Sequence, residues 1–373
     1  MNWHGEPLPT TGGRTVGPVS FNLRRLGVVM ESEAGNPLEV DGVLNPAAAR
    51  GPDGELYLFP RLVSRGNYSR IGVARVRFSD DGDPVAAERL GIALEPTADY
   101  ELRADGGGCK DPRITFVEPL QRYVMTYTAF SSEGPRIALA ISDDLFHWER
   151  LGLATFEPHH GLDFNGVNNK DALVFPVALP DPNGRPAMAM IHRPLFPGTD
   201  AAEIAAEPTG RPIDLDRESI WIAYCPLDQS GMAPQHLCHF RSHHRLASPT
   251  APWERLKIGG GTPPILTPDG WLMIYHGVRE SQGGEGPNLR YSAGALVLDE
   301  RDARLIRYRS PTPILVPELP QEREGTGAEV VFPTGVDRRS DLGHSSRIDV
   351  YYGMADRRIG AARLDVPTQT MRS

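Results

Sequence analysis

The sequence predicts an all-β fold, a five-bladed β-propeller with loop insertions. One phrase recurs five times: a short apolar strand, a turn, then a β-rich strand ending on a polar or charged residue. The second strands fall at residues 56–61, 123–128, 187–193, 271–276 and 348–356. A spacing of roughly 60–90 residues is too long for a helical solenoid repeat and suits a propeller blade carrying insertions. The 39 glycines and 35 prolines match a chain of many short strands and turns. No heptads or convincing helical periodicity compete with this reading.

The elements follow in order. Residues 1–40 form a lead-in, with 16–30 expected to pair with the last blade or cover a rim. Residues 41–373 read as one catalytic propeller domain. Blade one spans about 45–94, and its first turn is Gly51-Pro52-Asp53-Gly54. Proline there fixes φ and glycine permits the left-handed region. Blade two opens at Asp111 after Gly106-Gly107-Gly108 and closes near Trp148. Blade three opens at Lys170-Asp171 and turns at Asp181-Pro182-Asn183-Gly184. Blade four opens around 259–264, and blade five begins at Glu329. Polar insertions at 198–218 and 281–288 are expected to carry specificity, as long loops commonly do.

Composition excludes several classes. A net charge of −9 argues against a duplex-binding surface. Cys109, Cys225 and Cys238 are odd in number and scattered, so they do not read as a disulfide framework. The N-terminus lacks an apolar signal core, and no run of 18 apolar residues marks a membrane span. A cytoplasmic protein without nucleic-acid or membrane partners is expected. His236, Cys238, His239, His243 and His244 do not match a tetrahedral zinc spacing, and no metal or cofactor is expected.

Two groups of residues carry chemistry. Asp111 lies in Gly108-Cys109-Lys110-Asp111-Pro112-Arg113. Pro112 biases Asp111 towards extended geometry. A carboxyl there either caps its own turn or points into the channel. Partial burial would raise its pKa and suit a general acid, and a nearby cation would do the reverse. Arg61, Lys170, His192, Arg193 and His276 fall at strand starts or ends of the repeat. Cations facing one axis repel unless an anion sits between them, and this set suits phosphate.

Seven segments, in order, resemble glycoside hydrolase family 130: Asn45-Pro46-Ala47-Ala48, Asp111-Pro112-Arg113-Ile114, Thr126-Tyr127-Thr128-Ala129, His192-Arg193-Pro194, Gly261-Thr262-Pro263-Pro264-Ile265, Tyr275-His276-Gly277 and Tyr351-Tyr352-Gly353-Met354-Ala355-Asp356. The family contains β-mannoside phosphorylases and some hydrolases, on a five-bladed propeller. The resemblance implies inverting phosphorolysis of β-1,4- or β-1,2-mannosides to α-mannose 1-phosphate. It implies Asp111 as general acid, its proton passing through a sugar hydroxyl, and Asn45, Arg61 and Asp356 as grips on the mannosyl unit. Lys170, Arg193 and His276 match phosphate-binding positions, with His192 and Arg136 as neighbours of that group. Inorganic phosphate is then the co-substrate and a mannose-containing disaccharide or oligosaccharide the partner; a homo-oligomer is compatible with the sequence. Lys110 departs from the many relatives that carry an acidic or other residue there. Two alternatives stand beside this reading: an inverting β-mannoside hydrolase with Asp171 or Glu329 as base, and a non-catalytic glycan-binding propeller.

Overall fold

A computed structural model describes residues 21, 23–196, 217–227, 234–281, 289–343 and 346–366. Among these residues the protein is all-β, with short 3₁₀ turns and one four-residue α-helix, Pro320–Arg323. The first strand, β1 (Leu23–Glu31), pairs with the end of the chain. Unit one is β2 (Gly42–Arg50), β3 (Leu56–Ser64), β4 (Tyr68–Phe78) and β5 (Pro84–Leu94). Unit two is β6 (Gly108–Val117), β7 (Arg122–Ser131), β8 (Gly134–Ser142) and β9 (Glu149–Leu153). Unit three carries β10 (Thr155–Phe156) and β12 (Leu179–Pro180) beside its main strands β11 (Asn168–Val174), β13 (Pro186–Leu195), β14 (Ile220–Pro226) and β15 (His239–Ala247). Unit four is β16 (Lys257–Gly260), β18 (Gly270–Glu280), β19 (Leu289–Leu298) and β20 (Ile306–Arg309), with β17 (Ile265–Thr267) on β18. Unit five is β21 (Val331–Arg338), β22 (Arg347–Met354) and β23 (Arg358–Asp365), completed by β1 antiparallel to β23. The five recurring strands of the sequence are the second strands of the five units.

The main strands within each unit pair antiparallel, and a single bridge, Ser69 to Gly108, joins units one and two. Five apolar layers separate the units. Phe59 and Met125 meet between units one and two, and Leu139 and Met190 between two and three. Ile191 and Met273 meet between three and four, Ile274 and Val350 between four and five. Leu58 and Tyr351 meet between unit five and unit one, which closes the succession. Each sheet therefore buries both faces. That explains why the strands read as nearly continuous apolar runs and not as clean alternation.

The inner strands share a further feature. β2, β6 and β11 each break register after their third residue, at Leu44/Ala47, Lys110/Arg113 and Lys170/Leu173. At each break a polar residue takes a left-handed backbone: Asn45 at φ 46, Asp111 at φ 48 and Asp171 at φ 56. A β-bulge of this kind re-aims a side chain. Left-handed backbone is uncommon for non-glycine residues, with Asn and Asp the most tolerant. Asp111 is thus not extended, as the following proline suggested.

A second recurrence ties inner and outer strands together. Glu101, Glu254 and Glu322 are buried in short turns just before units two, four and five. Each accepts from a second-strand tyrosine: Tyr127 at 2.6 Å, Tyr275 at 2.5 Å and Tyr352 at 3.0 Å. Each also takes an outer-strand arginine: Arg150 at 2.8 Å, Arg309 at 2.7 Å and Arg25 at 2.8 Å. Glu39 holds Arg89 of β5 in the same way at 2.7 Å.

Removing one partner of such a set leaves a buried charge uncompensated. We expect Glu254→Ala to lose about 3–5 kcal/mol of stability and Tyr275→Phe about 1 kcal/mol, read from denaturant midpoints. Burial pushes Glu101 and Glu322 up, but hydrogen bonds outweigh it and hold both below the ordinary glutamate value: from Arg150, Tyr127 and two backbone N–H groups for Glu101, and from Arg25 and two backbone N–H groups for Glu322. Their contribution is therefore fully present above the usual pKa of about 4.3 and is lost as pH falls through the lower folded values. Thermal scans from pH 6 downward should show the melting temperature dropping below about pH 4, less steeply in Glu101→Gln.

Candidate active site

The site is built where the bulges of the inner strands point. Asp111 accepts from Asn45 Nδ2 at 2.8 Å and from Arg61 Nη1 at 3.2 Å. Arg61 is itself fixed by Ser69 Oγ at 2.9 Å and Asn67 Oδ1 at 2.6 Å. Gly353 makes room for Asn45, since a Cβ at that position would collide with the Asn45 carboxamide oxygen. Asp356 belongs to the same group: Arg61 and Asp111 both act on its charge. The structure thus brings together Asn45, Arg61, Asp111 and Asp356.

The two carboxyls are driven apart. Burial pulls Asp111 up, but Arg61, Arg113 and Asn45 together hold it below the usual aspartate value. Burial pushes Asp356 above that value, against Arg61 and with the help of the Asp111 charge. Of the two alternatives the sequence left open, the nearby cations prevail over burial, and the ligand-free carboxyl is an anion at neutral pH.

The second group surrounds Asp171, which is 2 % exposed. Arg193 Nε donates to its Oδ2 at 2.6 Å, Arg113 Nη2 lies 3.6 Å from Oδ1, and His276 Nε2 lies 3.5 Å from Oδ2. Gly259 lets the β16 backbone approach closely, because a Cβ there would strike Asp171 and the His276 ring. Burial opposes ionisation of Asp171, yet Arg193, His276, Arg113 and Lys170 hold it far below the usual range. Arg193 also pairs with Glu218, which in turn lies 3.5 Å from Lys257.

Arg113 links the groups. It donates to Asp111 O at 2.8 Å, Gly261 O at 3.0 Å and Gly260 O at 3.1 Å, and its guanidinium lies over Phe332 at 5.6 Å. One side chain from unit two thereby touches units three, four and five.

Lys170 is mostly buried and has no hydrogen bond or ion pair among the described residues. Burial, with Arg193 and Lys257, pushes its pKa down to about 8 against the pull of Asp171 and Asp111. His276 is completely buried, and burial pushes it down to about 3 despite Asp171. It is a neutral imidazole at working pH, not the cation its place in the sequence suggested. Neither ring nitrogen has a hydrogen-bond partner among the described residues. These polar groups, buried and short of partners, are what an anionic ligand would complete.

Two residues grouped with them lie elsewhere. His192 precedes Arg193 on β13, and alternation turns it to the opposite face. There it stacks on Phe156 at 5.0 Å and meets Asn169 at 3.1 Å. Arg136 donates to the carbonyls of Pro135 and Gly166. Sequence reasoning missed Arg113, Glu218 and Lys257. Arg113 had a signal: it stands two residues after Asp111, in the middle of a strand buried on both faces. Most of the insertions at 198–218 and 281–288 lies outside the described residues. Among the described residues no group of three or more His, Cys, Asp or Glu is placed to hold a metal ion.

Comparison with known proteins identifies the family. The glycoside hydrolase family 130 profile, described as β-1,4-mannooligosaccharide phosphorylase, matches residues 23–369. A 1,2-β-oligomannan phosphorylase of Thermoanaerobacter sp. (strain X514) is 31% identical across 93% of this chain and 98% of its own. A β-1,2-mannobiose phosphorylase of the same organism is 30% identical across 79% of this chain and 78% of its own. Among solved structures, β-1,2-mannobiose phosphorylase from Listeria innocua, in complex with β-1,2-mannobiose, superposes with a TM-score of 0.67 at 24% identity. That match covers 92% of this chain and 97% of the other. With its all-β fold and a profile match across nearly the whole chain, this protein belongs to glycoside hydrolase family 130, the β-mannoside phosphorylase family of enzymes.

Proposed function

We propose that the protein catalyses inverting phosphorolysis of a β-mannoside, giving α-mannose 1-phosphate, on a five-bladed β-propeller. The closed succession of five strand units and five apolar layers supports the radial arrangement. The observation that carries the reaction is the state of Asp171. A hydrolase needs a carboxylate free to activate water on the face opposite the acid. Asp171 is buried, ion-paired to Arg193 and held far below the usual range, so it is a poor base. Glu329, the other carboxylate weighed for that role, is engaged by Ser281 and by Arg290 at 3.4 Å. What stands around Asp171 is a cluster of cationic and N–H groups, which suits phosphate as nucleophile.

In this reading Asn45, Arg61 and Asp356 hold the mannosyl unit. Phosphate sits against Lys170, Arg193 and neutral His276, which supplies an N–H donor without adding charge. Arg193 is pre-positioned by Asp171, so it needs little reorganisation to meet the anion. The C1–oxygen bond to the leaving sugar breaks as phosphate attacks from the opposite face. Asp111 supplies the proton to the leaving oxygen through a sugar hydroxyl. A bound sugar displaces water from Asp111, and that burial works towards protonation.

Incubation with β-1,2- and β-1,4-mannobiose, with and without phosphate, tests the reading: mannose 1-phosphate should form only with phosphate. Free mannose released without phosphate favours the hydrolase, and binding without turnover favours a glycan-binding protein. We expect Asp111→Asn to lower kcat about 10²–10⁴-fold with its circular dichroism spectrum retained. Lys170 attracts phosphate only while protonated, so kcat/KM for phosphate should fall as pH rises through about 8. Lys170→Met should raise the phosphate KM by about tenfold, or ~1.4 kcal/mol, and remove that alkaline limb.

A further inference from the structure

Charge around the phosphate recess is already matched. Arg113, Lys170, Arg193 and Lys257 face Asp171 and Glu218 there, a surplus of two positive charges. A phosphate dianion balances that surplus. On the sugar side Arg61 is paired with Asp111, which suits a neutral mannosyl unit.

Two cations remain outside this balance. Lys110 is 6% exposed and immediately precedes Asp111. Its Nζ lies 4.5 Å from the centre of the Phe130 ring, and the exposed Arg103 guanidinium lies 5.2 Å from the same ring. Neither has a hydrogen bond or ion pair among the described residues. The backbone forces them together: Gly107 packs on Arg103, and Gly108 at φ +115 lies against the Ser69 carbonyl where a Cβ would collide. The glycine triplet of the sequence thus folds Arg103 back towards Lys110. Burial, Arg61, Lys170 and Arg103 push Lys110 down to about 7 against the pull of Asp111. The ring face attracts each cation, but the two cations repel each other, and an anion placed between them would relieve that repulsion.

We propose that Arg103, Lys110 and Phe130 form a second anion-binding subsite beside the proton donor, and that the leaving sugar carries a carboxylate or a phosphate ester. The inference rests on the phosphorolytic reading above. It deepens that reading by naming the class of the acceptor: a β-mannoside of an acidic or phosphorylated sugar.

The reverse reaction tests it. With α-mannose 1-phosphate as donor, the C1–phosphate bond breaks, the acceptor hydroxyl bonds to C1, its proton passes to Asp111, and phosphate leaves. Glucose, glucuronate and glucose 6-phosphate are compared as acceptors by kcat/KM. At least one anionic acceptor should exceed glucose by tenfold or more, and which one does so distinguishes carboxylate from phosphate ester. Lys110→Met and the exposed Arg103→Ala should each reduce that ratio at least fivefold, and should change it more than they change the KM for inorganic phosphate. Equal or better use of glucose would overturn the subsite while leaving phosphorolysis intact. A larger effect of Lys110→Met on the phosphate KM than on the acceptor ratio would overturn it too, by making Lys110 a phosphate ligand. Transfer to none of these acceptors, together with no phosphate-dependent cleavage of either mannobiose, would overturn both readings.

Discussion

Arg113 and Arg193 are both buried, and their guanidinium groups act on each other's neighbours at the centre of the molecule. Two such charges without compensation would be driven towards water. Asp171 stands between them, 2.6 Å from Arg193 and 3.6 Å from Arg113. Its charge allows Arg113 to bind the Gly260 and Gly261 carbonyls and so join four of the five units. It also presents Arg193 in one orientation. The same carboxylate therefore serves the fold and the anion recess. Removing one partner of a buried pair strands the other, so Arg193→Ala would unbalance the centre as well as weaken phosphate binding. Lys170, which has no hydrogen-bond or ion-pair partner among the described residues, separates the two effects more cleanly.

Electrostatics also divides the labour between the carboxyls. Asp111 shares Arg113 with Asp171 and Arg61 with Asp356, yet the three environments differ. Asp171 is saturated by cations and remains an anion. Asp356 is buried with little compensation and is pushed upward. Asp111 lies between these extremes, held down by Arg61 and Arg113 but open to reversal when a sugar excludes water. Environments that separate the pKa values of neighbouring acids are how one site assigns distinct roles.

The architecture was legible because each second strand is a dense apolar run bounded by turn residues, and five of them recur in order. The residues proposed to hold sugar and phosphate were picked out through the family motifs, and of these His192 and Arg136 fall outside the group around Asp171. What was not legible is instructive. The left-handed backbone at Asp171 carries no local signal, and at Asp111 the following proline pointed the other way. His192 and Arg193 were grouped together although adjacent strand residues face opposite ways, and the phenylalanines of the neighbouring layer claim the histidine. His276 reads as a cation in sequence, but complete burial makes it neutral. The Glu254-Tyr275-Arg309 set and its counterparts escaped notice because a glutamate before a strand reads as a solvated turn residue. Only the third dimension shows that it is buried and bonded to tyrosine and arginine.

The central claim is that the recess around Asp171 receives phosphate and that Asp111 faces the sugar beside it. A crystal soaked with phosphate and mannose tests this most directly. The account predicts an anion contacting Lys170, Arg193 and His276, with the mannose C1 lying between that anion and the Asp111 carboxyl. An empty recess beside a bound mannose, with a carboxylate-held water facing C1, would contradict it.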